Sequence, residues 1–301
     1  CVGHGVCADE TVESMEHRAM QGYSAIDLHV HTTASDGALA PAEVVRLAHE
    51  RGVRVIAITD HDSTEGVSEA LQEGGRLGVE VIPGIEMSTD IPRAEVHVLG
   101  YYVRWQSPEL QRVLVQLREA RRERGRRMVE KLRALGLDIS WERVQAIAGT
   151  GAVGRPHVAQ ALVEAGYVSS IAEAFTKYIG RNAPAYVERY KLSPAEAVQL
   201  IRSVGGVPVL AHPTFSGDYL QMLPDLLAAG LQGIEVYYAG YPAETIEALL
   251  GVAREHDLVP TGGTDFHGIP VDDTGGTHAE LGSVWVPEES VLRLRALAGV
   301  I

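Results

Sequence analysis

Val53-Arg54-Val55-Ile56-Ala57-Ile58-Thr59-Asp60-His61-Asp62 is the stretch that decides the fold. Apart from Arg54 its first half is apolar and mostly β-branched, without the polar alternation of a strand that faces water on one side. Such a run reads as a strand covered by helices on both faces, the pattern of parallel sheets. It stops abruptly in three titratable residues, so chemistry sits at the carboxyl end of the strand. Outward from it the pattern repeats. Further strands are expected at 25–30, 79–84, 95–102, 207–211, 233–237, 258–262 and 282–286, with helices at 41–51, 68–77, 223–229 and 242–256. Pro41 and Pro242 suit a first helical position, and Gly52, Gly78 and Gly230 suit the left-handed residue that stops a helix. The βα repetition implies a parallel sheet, open or closed, and a closed (β/α) barrel builds its site where its strands end.

The alternation breaks from about 105 to 192. Leu110, Leu114, Leu117, Met128, Leu132 and Leu135 recur there at helical spacing, and Ser193-Pro194-Ala195-Glu196 restarts the barrel with an N-terminal capping box. The expected organisation is therefore a leader (1–25), a first barrel part (26–104), a helical insertion that could overhang the mouth (105–192), and a second barrel part (193–301).

The 301 residues, 46% hydrophobic, are enough for one large barrel or two domains. No apolar run is long enough for a membrane span, and the leader lacks the features of a signal peptide. Cys1 and Cys7 are the only cysteines, so neither a disulfide framework nor a thiolate metal site is supported. A cytoplasmic location is the default. The net charge of −14 argues against a general nucleic-acid coat. No DNA or membrane partner is expected.

Nine residues at strand ends have the spacing of metal ligands. His29-x-His31 lies in Asp-Leu-His-Val-His, Asp36 in Ser-Asp-Gly, and His61 in the opening stretch. Glu86 lies in Pro-Gly-Ile-Glu, His97 in Glu-Val-His-Val, His212 in Ala-His-Pro, and Asp265-x-His267 in Thr-Asp-Phe-His-Gly. Residues i and i+2 of a strand share a face, so His29 and His31 can grip one site. Imidazole and carboxylate without thiolate suit Zn, Mn or Fe. Asp60 and Asp62, flanking His61, point away from it and suit supporting or helix-capping roles.

With Thr59-Asp60-His61-Asp62, Gly84-Ile85-Glu86, Ala211-His212-Pro213 and Thr264-Asp265-Phe266-His267, the chain resembles the PHP (polymerase and histidinol phosphatase) family of metal-dependent phosphoesterases from Ile26 onward. The resemblance implies a distorted (β/α)7 barrel with a trinuclear site. It implies that His29, His31, Glu86 and Asp265 hold a first metal. Glu86 would bridge to a second, completed by His97 and His212, and Asp36, His61 and His267 would hold a third. Amidohydrolases also open on His-x-His, but many need a bridging carbamylated lysine at a strand end. None of Lys131, Lys177 and Lys191 occupies such a place, whereas Glu86 can bridge.

Gly154-Arg155-Pro156-His157, Tyr178-Ile179-Gly180-Arg181 and Pro184-Ala185-Tyr186-Val187 are similar to motifs of a subgroup of nucleoside 3′,5′-bisphosphate phosphatases that also trim short RNA from the 5′ end. By that resemblance Arg155 and His157 bind substrate phosphate. The alternative is that they cap the helix starting near Pro156. One departure is Ala239-Gly240-Tyr241-Pro242, where subgroup members carry a Pro and a His-Ser-Pro-like turn. The arginine run from Arg118 to Arg133, interspersed with glutamates, reads as a solvated helix face, with a track for RNA as the alternative.

The resulting expectation is a phosphomonoesterase acting on small phosphorylated metabolites, foremost nucleotides, and on short single-stranded RNA. Two to three divalent ions would activate water, Arg155 would offset phosphoryl charge, and His212 or His267 would protonate the leaving oxygen. A histidinol-phosphate phosphatase and a non-catalytic PHP regulatory module are the alternatives.

Overall fold

The computed structural model describes residues 24–91, 94–149, 153–188, 190–268 and 279–300. Most of the segment read as a leader, with Cys1 and Cys7, lies outside them. Seven strands follow one another: β1 (Ile26–Val30), β2 (Val55–Ile58), β3 (Glu80–Ile91), β4 (Ala94–Tyr101), β5 (Val207–Leu210), β6 (Gly233–Tyr238) and β7 (Val259–Gly263). Neighbours in sequence are neighbours in the sheet. Val30 bridges to Phe266 just beyond β7. The His31 amide donates to the Phe266 carbonyl at 2.8 Å, so the sheet closes almost fully into a barrel. Gly263 lets the seam close, because a Cβ there would lie 2.4 Å from the His29 backbone nitrogen.

One strand breaks the expected parallel order. β4 runs antiparallel to both β3 and β5. Only residues 92–93 separate it from β3, and a parallel crossover needs a dozen residues or more. The reversal turns the amino end of β4 toward the mouth where the other strands end. His97, early in β4, therefore arrives beside residues that follow the carboxyl ends of β1, β2 and β7.

The strand expected at 282–286 does not form. Gly282 donates its amide to Asp27 Oδ2 (2.9 Å) and accepts from the Ser24 amide (2.5 Å). Val284 and Val286 pack against the buried group of Ile26, Leu28, Ile82 and Val259. Alternating valines made the segment look like a strand, but its backbone groups are spent on a loop contact.

The helices in chain order are α1 (Pro41–Glu50), α2 (Val67–Leu77), then α3 (Pro108–Ala134), α4 (Trp141–Ala148), α5 (Arg155–Glu164) and α6 (Ile171–Ala174) with a π-turn at Phe175–Ile179. They continue as α7 (Pro194–Ser203), α8 (Tyr219–Ala229), α9 (Ala243–Glu255) and α10 (Glu288–Ala298). Pro41 opens α1, whereas Pro242 caps α9 from outside. α8 begins before the expected residue 223, because it tolerates Pro224 inside. Ser193 and Glu196 form the expected capping box of α7.

α3 joins two cores. Its Leu110, Leu114 and Leu117 bury against barrel residues such as Ile85 and Val98. Its Met128, Val129 and Leu132 bury in a separate group with Trp141, Val144, Val158 and Leu162. Leu135, expected on this stripe, stands at the helix end and is 49% exposed. Arg121 and Arg124, read as part of a solvated face, turn inward instead, and Arg124 is only 5% exposed. Among the described residues no helix is long and apolar enough to cross a membrane.

Candidate metal centre

All nine strand-end residues meet at the mouth, arranged around Glu86. Its side chain is fully buried, and its two oxygens face different partners. Oε1 lies 2.8 Å from His97 Nδ1 and 3.1 Å from His212 Nε2. Oε2 lies 3.4 Å from His29 Nε2, 3.2 Å from His31 Nε2 and 2.9 Å from His61 Nδ1. Asp265 Oδ1 completes the inner set, 3.3 Å from His29 Nε2 and 3.0 Å from His31 Nε2. Asp36 lies outward, 3.3 Å from His267 Nε2 and 3.8 Å from His61 Nε2.

Three groups have ligand atoms close enough to share an ion: His29, His31, Glu86 and Asp265; His31, Asp36, His61 and His267; and His61, Glu86 and His97. His31 and His61 each belong to two of them. His61 therefore adjoins both Asp36 and Glu86, and His212 joins the centre through Glu86.

Chemistry supports a cation here. His29 Nε2, His31 Nε2, Asp36 Oδ1, Glu86 Oε2 and Asp265 Oδ1 are buried and make no hydrogen bond within the protein. Buried polar atoms are nearly always satisfied, so five such atoms converging on one place are those a positive ion would satisfy. The protonation equilibria agree. Burial opposes a charge on His31, yet Asp265 and Glu86 push its pKa up to about 10. Burial likewise opposes ionisation of Glu86, and His61, His97 and His29 nonetheless hold it well below the usual carboxylate range. The pocket pulls positive charge inward.

The backbone aims these groups at some strain. His212 (φ 23°), Asp265 (φ 53°) and Asp62 (φ 47°) are non-glycine residues in the left-handed region. Such conformations persist where surrounding contacts enforce them, commonly at functional sites. Glu235 supplies one such contact, accepting from the His212 amide at 2.7 Å while its other oxygen meets His29 Nδ1 at 2.9 Å. That fixes the imidazole so that Nε2 faces Glu86. Tyr238 donates its hydroxyl to Asp265 Oδ2 at 2.8 Å. Asp60 accepts from Thr32 and Ser35, tying down the loop that carries Asp36, and so supports the site from outside as expected. Asp62 accepts from the Ser88 amide at 2.9 Å and pairs with Arg121.

Glu235, Tyr238, Asp27 and Arg121 were missed in the sequence reading. Glu235 and Asp27 stand inside strands; Asp27 lies two residues before His29 on the same face, whereas nothing near Glu235 in sequence hints at its role. Arg121 is hidden among other arginines. It lines the small cleft of Ser35, Asp36, His61 and His157, and donates to Asp62 and, at 2.6 Å, to Ser88 Oγ.

Arg155 and His157 sit at the start of α5. The Gly154 amide donates to His157 Nδ1 at 2.9 Å, a helix-capping contact. Arg155 bonds Glu95 Oε1 at 2.7 Å and lies over the Phe175 ring at 5.3 Å. Lys191 reaches the same Glu95 oxygen at 2.8 Å.

The PHP domain model matches residues 27–187, and the chain belongs to that family. It is 36% identical over 255 residues to the 5′-3′ exoribonuclease Rnm of Salmonella typhimurium, covering 80% of this chain and 84% of that protein. It is 35% identical over 250 residues to the 3′,5′-nucleoside bisphosphate phosphatase of Chromobacterium violaceum, covering 80% and 87%. A solved structure from Bifidobacterium adolescentis, described as a metal-dependent phosphoesterase, superposes with a TM-score of 0.79 at 31% identity over 90% of this chain and 96% of its own. The protein is thus a metal-dependent phosphoric ester hydrolase whose His, Asp and Glu clusters can hold metal ions.

Proposed function

We propose that the chain cleaves the bond between O3′ and phosphorus in a nucleotide that carries a 5′-phosphate. Nucleoside 3′,5′-bisphosphates and the 5′ ends of short RNA both present that arrangement. The observation that carries the reading is the pair of Glu86 oxygens, each facing its own set of histidines, which fits a carboxylate shared between neighbouring ions. Roughly two to three ions of Zn, Mn or Fe suit this nitrogen and oxygen donor set. When bound, such ions lower the pKa of water and offset charge on phosphoryl oxygens.

In the reaction an oxygen from water bonds to phosphorus, the P–O3′ bond breaks, and O3′ takes up a proton. His212 and His267, at the mouth, are the candidate donors. Arg155 anchors the 5′-phosphate, with His157 beside it. The phosphate takes the place of Glu95 on the guanidinium, a planar fork suited to its oxygens. In the β3–β4 ladder His97 lies opposite Ser88 and Glu95 opposite Asp90. The anchor is therefore one two-residue step, about 7 Å, along the hairpin from His97. The names of the two enzyme relatives support this reading, since one is a 5′-3′ exoribonuclease and the other a 3′,5′-nucleoside bisphosphate phosphatase.

A single charge-assisted hydrogen bond contributes about 1.5–3 kcal/mol, a bidentate guanidinium–phosphate pair up to about 4, and each 1.4 kcal/mol is about tenfold in rate. Arg155→Ala is expected to lower kcat/KM on a nucleoside 3′,5′-bisphosphate by roughly ten- to a thousand-fold, and far less on p-nitrophenyl phosphate, which has no second phosphate. Equal losses on both esters would place Arg155 at the reacting phosphate. No loss on either would reduce it to a partner of Glu95.

A further inference from the structure

A group of aromatic rings stands beside the metal centre, and the hydrolytic chemistry does not use it as rings. Phe215 closes the single 3-10 turn Pro213–Phe215 that follows His212, and it is 59% exposed. Its ring centroid lies 6.0 Å from His212, 5.7 Å from Tyr238 and 6.0 Å from Tyr241. Tyr238 and Tyr241 pack at 5.1 Å. They are brought together by a tight turn in which the Tyr241 amide donates to the Tyr238 carbonyl (3.1 Å) and Gly240 takes φ +81°.

The polar ends of this group are already engaged. Tyr238 donates to Asp265, and Tyr241 accepts from the Thr214 hydroxyl at 2.8 Å. Phe215 has no polar atom at all. What remains for a ligand is a flat hydrocarbon face held in place by two pinned tyrosines. The turn that holds it begins at His212, whose Nε2 faces Glu86 at 3.1 Å. A flat group on Phe215 would thus sit beside His212, at the edge of the centre.

We propose that Phe215, backed by Tyr238 and Tyr241, is the stacking surface for the nucleobase of the substrate. This rests on the nucleotide reading above and adds where the base lies and how it is selected. Stacking on an aromatic face accepts any base, because each base has a π-face. With its hydroxyls engaged, the surface has few groups left to read base edges. The enzyme therefore distinguishes nucleotides from base-free esters but discriminates weakly among bases.

The test compares a nucleoside 3′,5′-bisphosphate with its base-free counterpart, 1-O-methylribose 3,5-bisphosphate, for the wild type, F215A and F215W. The wild type should favour the nucleotide, and in F215A that preference in kcat/KM should shrink about ten-fold, mainly through KM. F215W should keep the preference. Its added fluorescence, relative to wild type, should be quenched by adenosine 5′-monophosphate and not by ribose 5-phosphate. Equal losses on both esters in F215A would make Phe215 a support of His212 and overturn the proposal. A nucleotide preference unchanged in F215A would leave the nucleotide reading standing and reject the stacking surface. A wild type that cleaves generic phosphoesters but no nucleoside bisphosphate would reject the nucleotide reading, and the stacking surface with it.

Discussion

Glu86 and Glu235 act on the same histidine from opposite sides: Glu86 faces Nε2 of His29, and Glu235 holds Nδ1. Removing the two carboxylates should have different consequences. Glu86→Ala takes away the proposed shared ligand, so two ions should be lost together. Elemental analysis of the purified variant measures this, and full metal with full activity would show that Glu86 does not bridge. Glu235→Gln leaves every proposed ligand in place but weakens the acceptor that orients His29 and His212. Outer partners of this kind typically contribute 10–100-fold to metal affinity or activity. Glu235→Gln should therefore release metal to a chelator at a concentration roughly ten- to a hundred-fold lower than wild type. Unchanged competition would mean that the imidazole is fixed by packing alone. Most of the proposed ligands were legible in the sequence because they stand in short motifs rich in His and Asp next to apolar runs, although Glu86 and His97 lie inside β3 and β4. Glu235 was not, since Gly233-Ile-Glu-Val-Tyr-Tyr reads as one more buried strand, and only its neighbour across the barrel reveals why a carboxylate is tolerated there.

Among the elements, α3 and the β3–β4 hairpin do the most to shape the mouth, and both differ from a simple βα repeat. The hairpin brings His97 to the centre from the amino end of a reversed strand. Neither strand direction nor the close connection is visible in the apolar pattern of β4, which is the same read either way. α3 reaches the site through Arg121, whose guanidinium closes over Asp62, a fully buried carboxylate. Breaking one side of a buried pair commonly costs about 3–5 kcal/mol, because the partner is left charged and unpaired. Arg121→Ala should lower the free energy of unfolding in urea by that order. Asp62→Asn in the same background should recover part of it, since the stranded charge is gone. If the two losses simply add, the residues are not coupled. The arginine run hid this contact, because helical spacing alone does not tell which arginine faces the barrel and which faces water.

For the molecule as a whole, closure of the barrel and assembly of the centre share one seam. The β1–β7 seam carries His29 and His31 on one side and leads to Asp265 and His267 on the other. Gly263 permits the approach, and the Cβ of Gly263→Ala would meet the His29 nitrogen at 2.4 Å and the Asp27 carboxylate at 2.9 Å. Overpacking of this kind costs about 1–3 kcal/mol. Gly263→Ala should both lower the thermal midpoint and reduce bound metal, whereas a variant that loses stability with its metal intact would separate seam from site. The βα architecture and the helical insertion could be read from the alternation and from its interruption after β4, but the alternation offered eight strands and left the sheet open or closed, and the seven-strand barrel followed only from the family resemblance. The failure of 282–286 to pair could not be read from the sequence, because it depends on Asp27 and Ser24 capturing that segment's backbone. The account stands on a centre in which Glu86 is shared between ions. Elemental analysis of the wild-type protein, paired with phosphoester hydrolysis before and after chelation, tests it most directly. Roughly two to three divalent ions per chain are expected, with hydrolysis lost on their removal and restored on their return. Sustained hydrolysis by protein holding well below one ion per chain would contradict it.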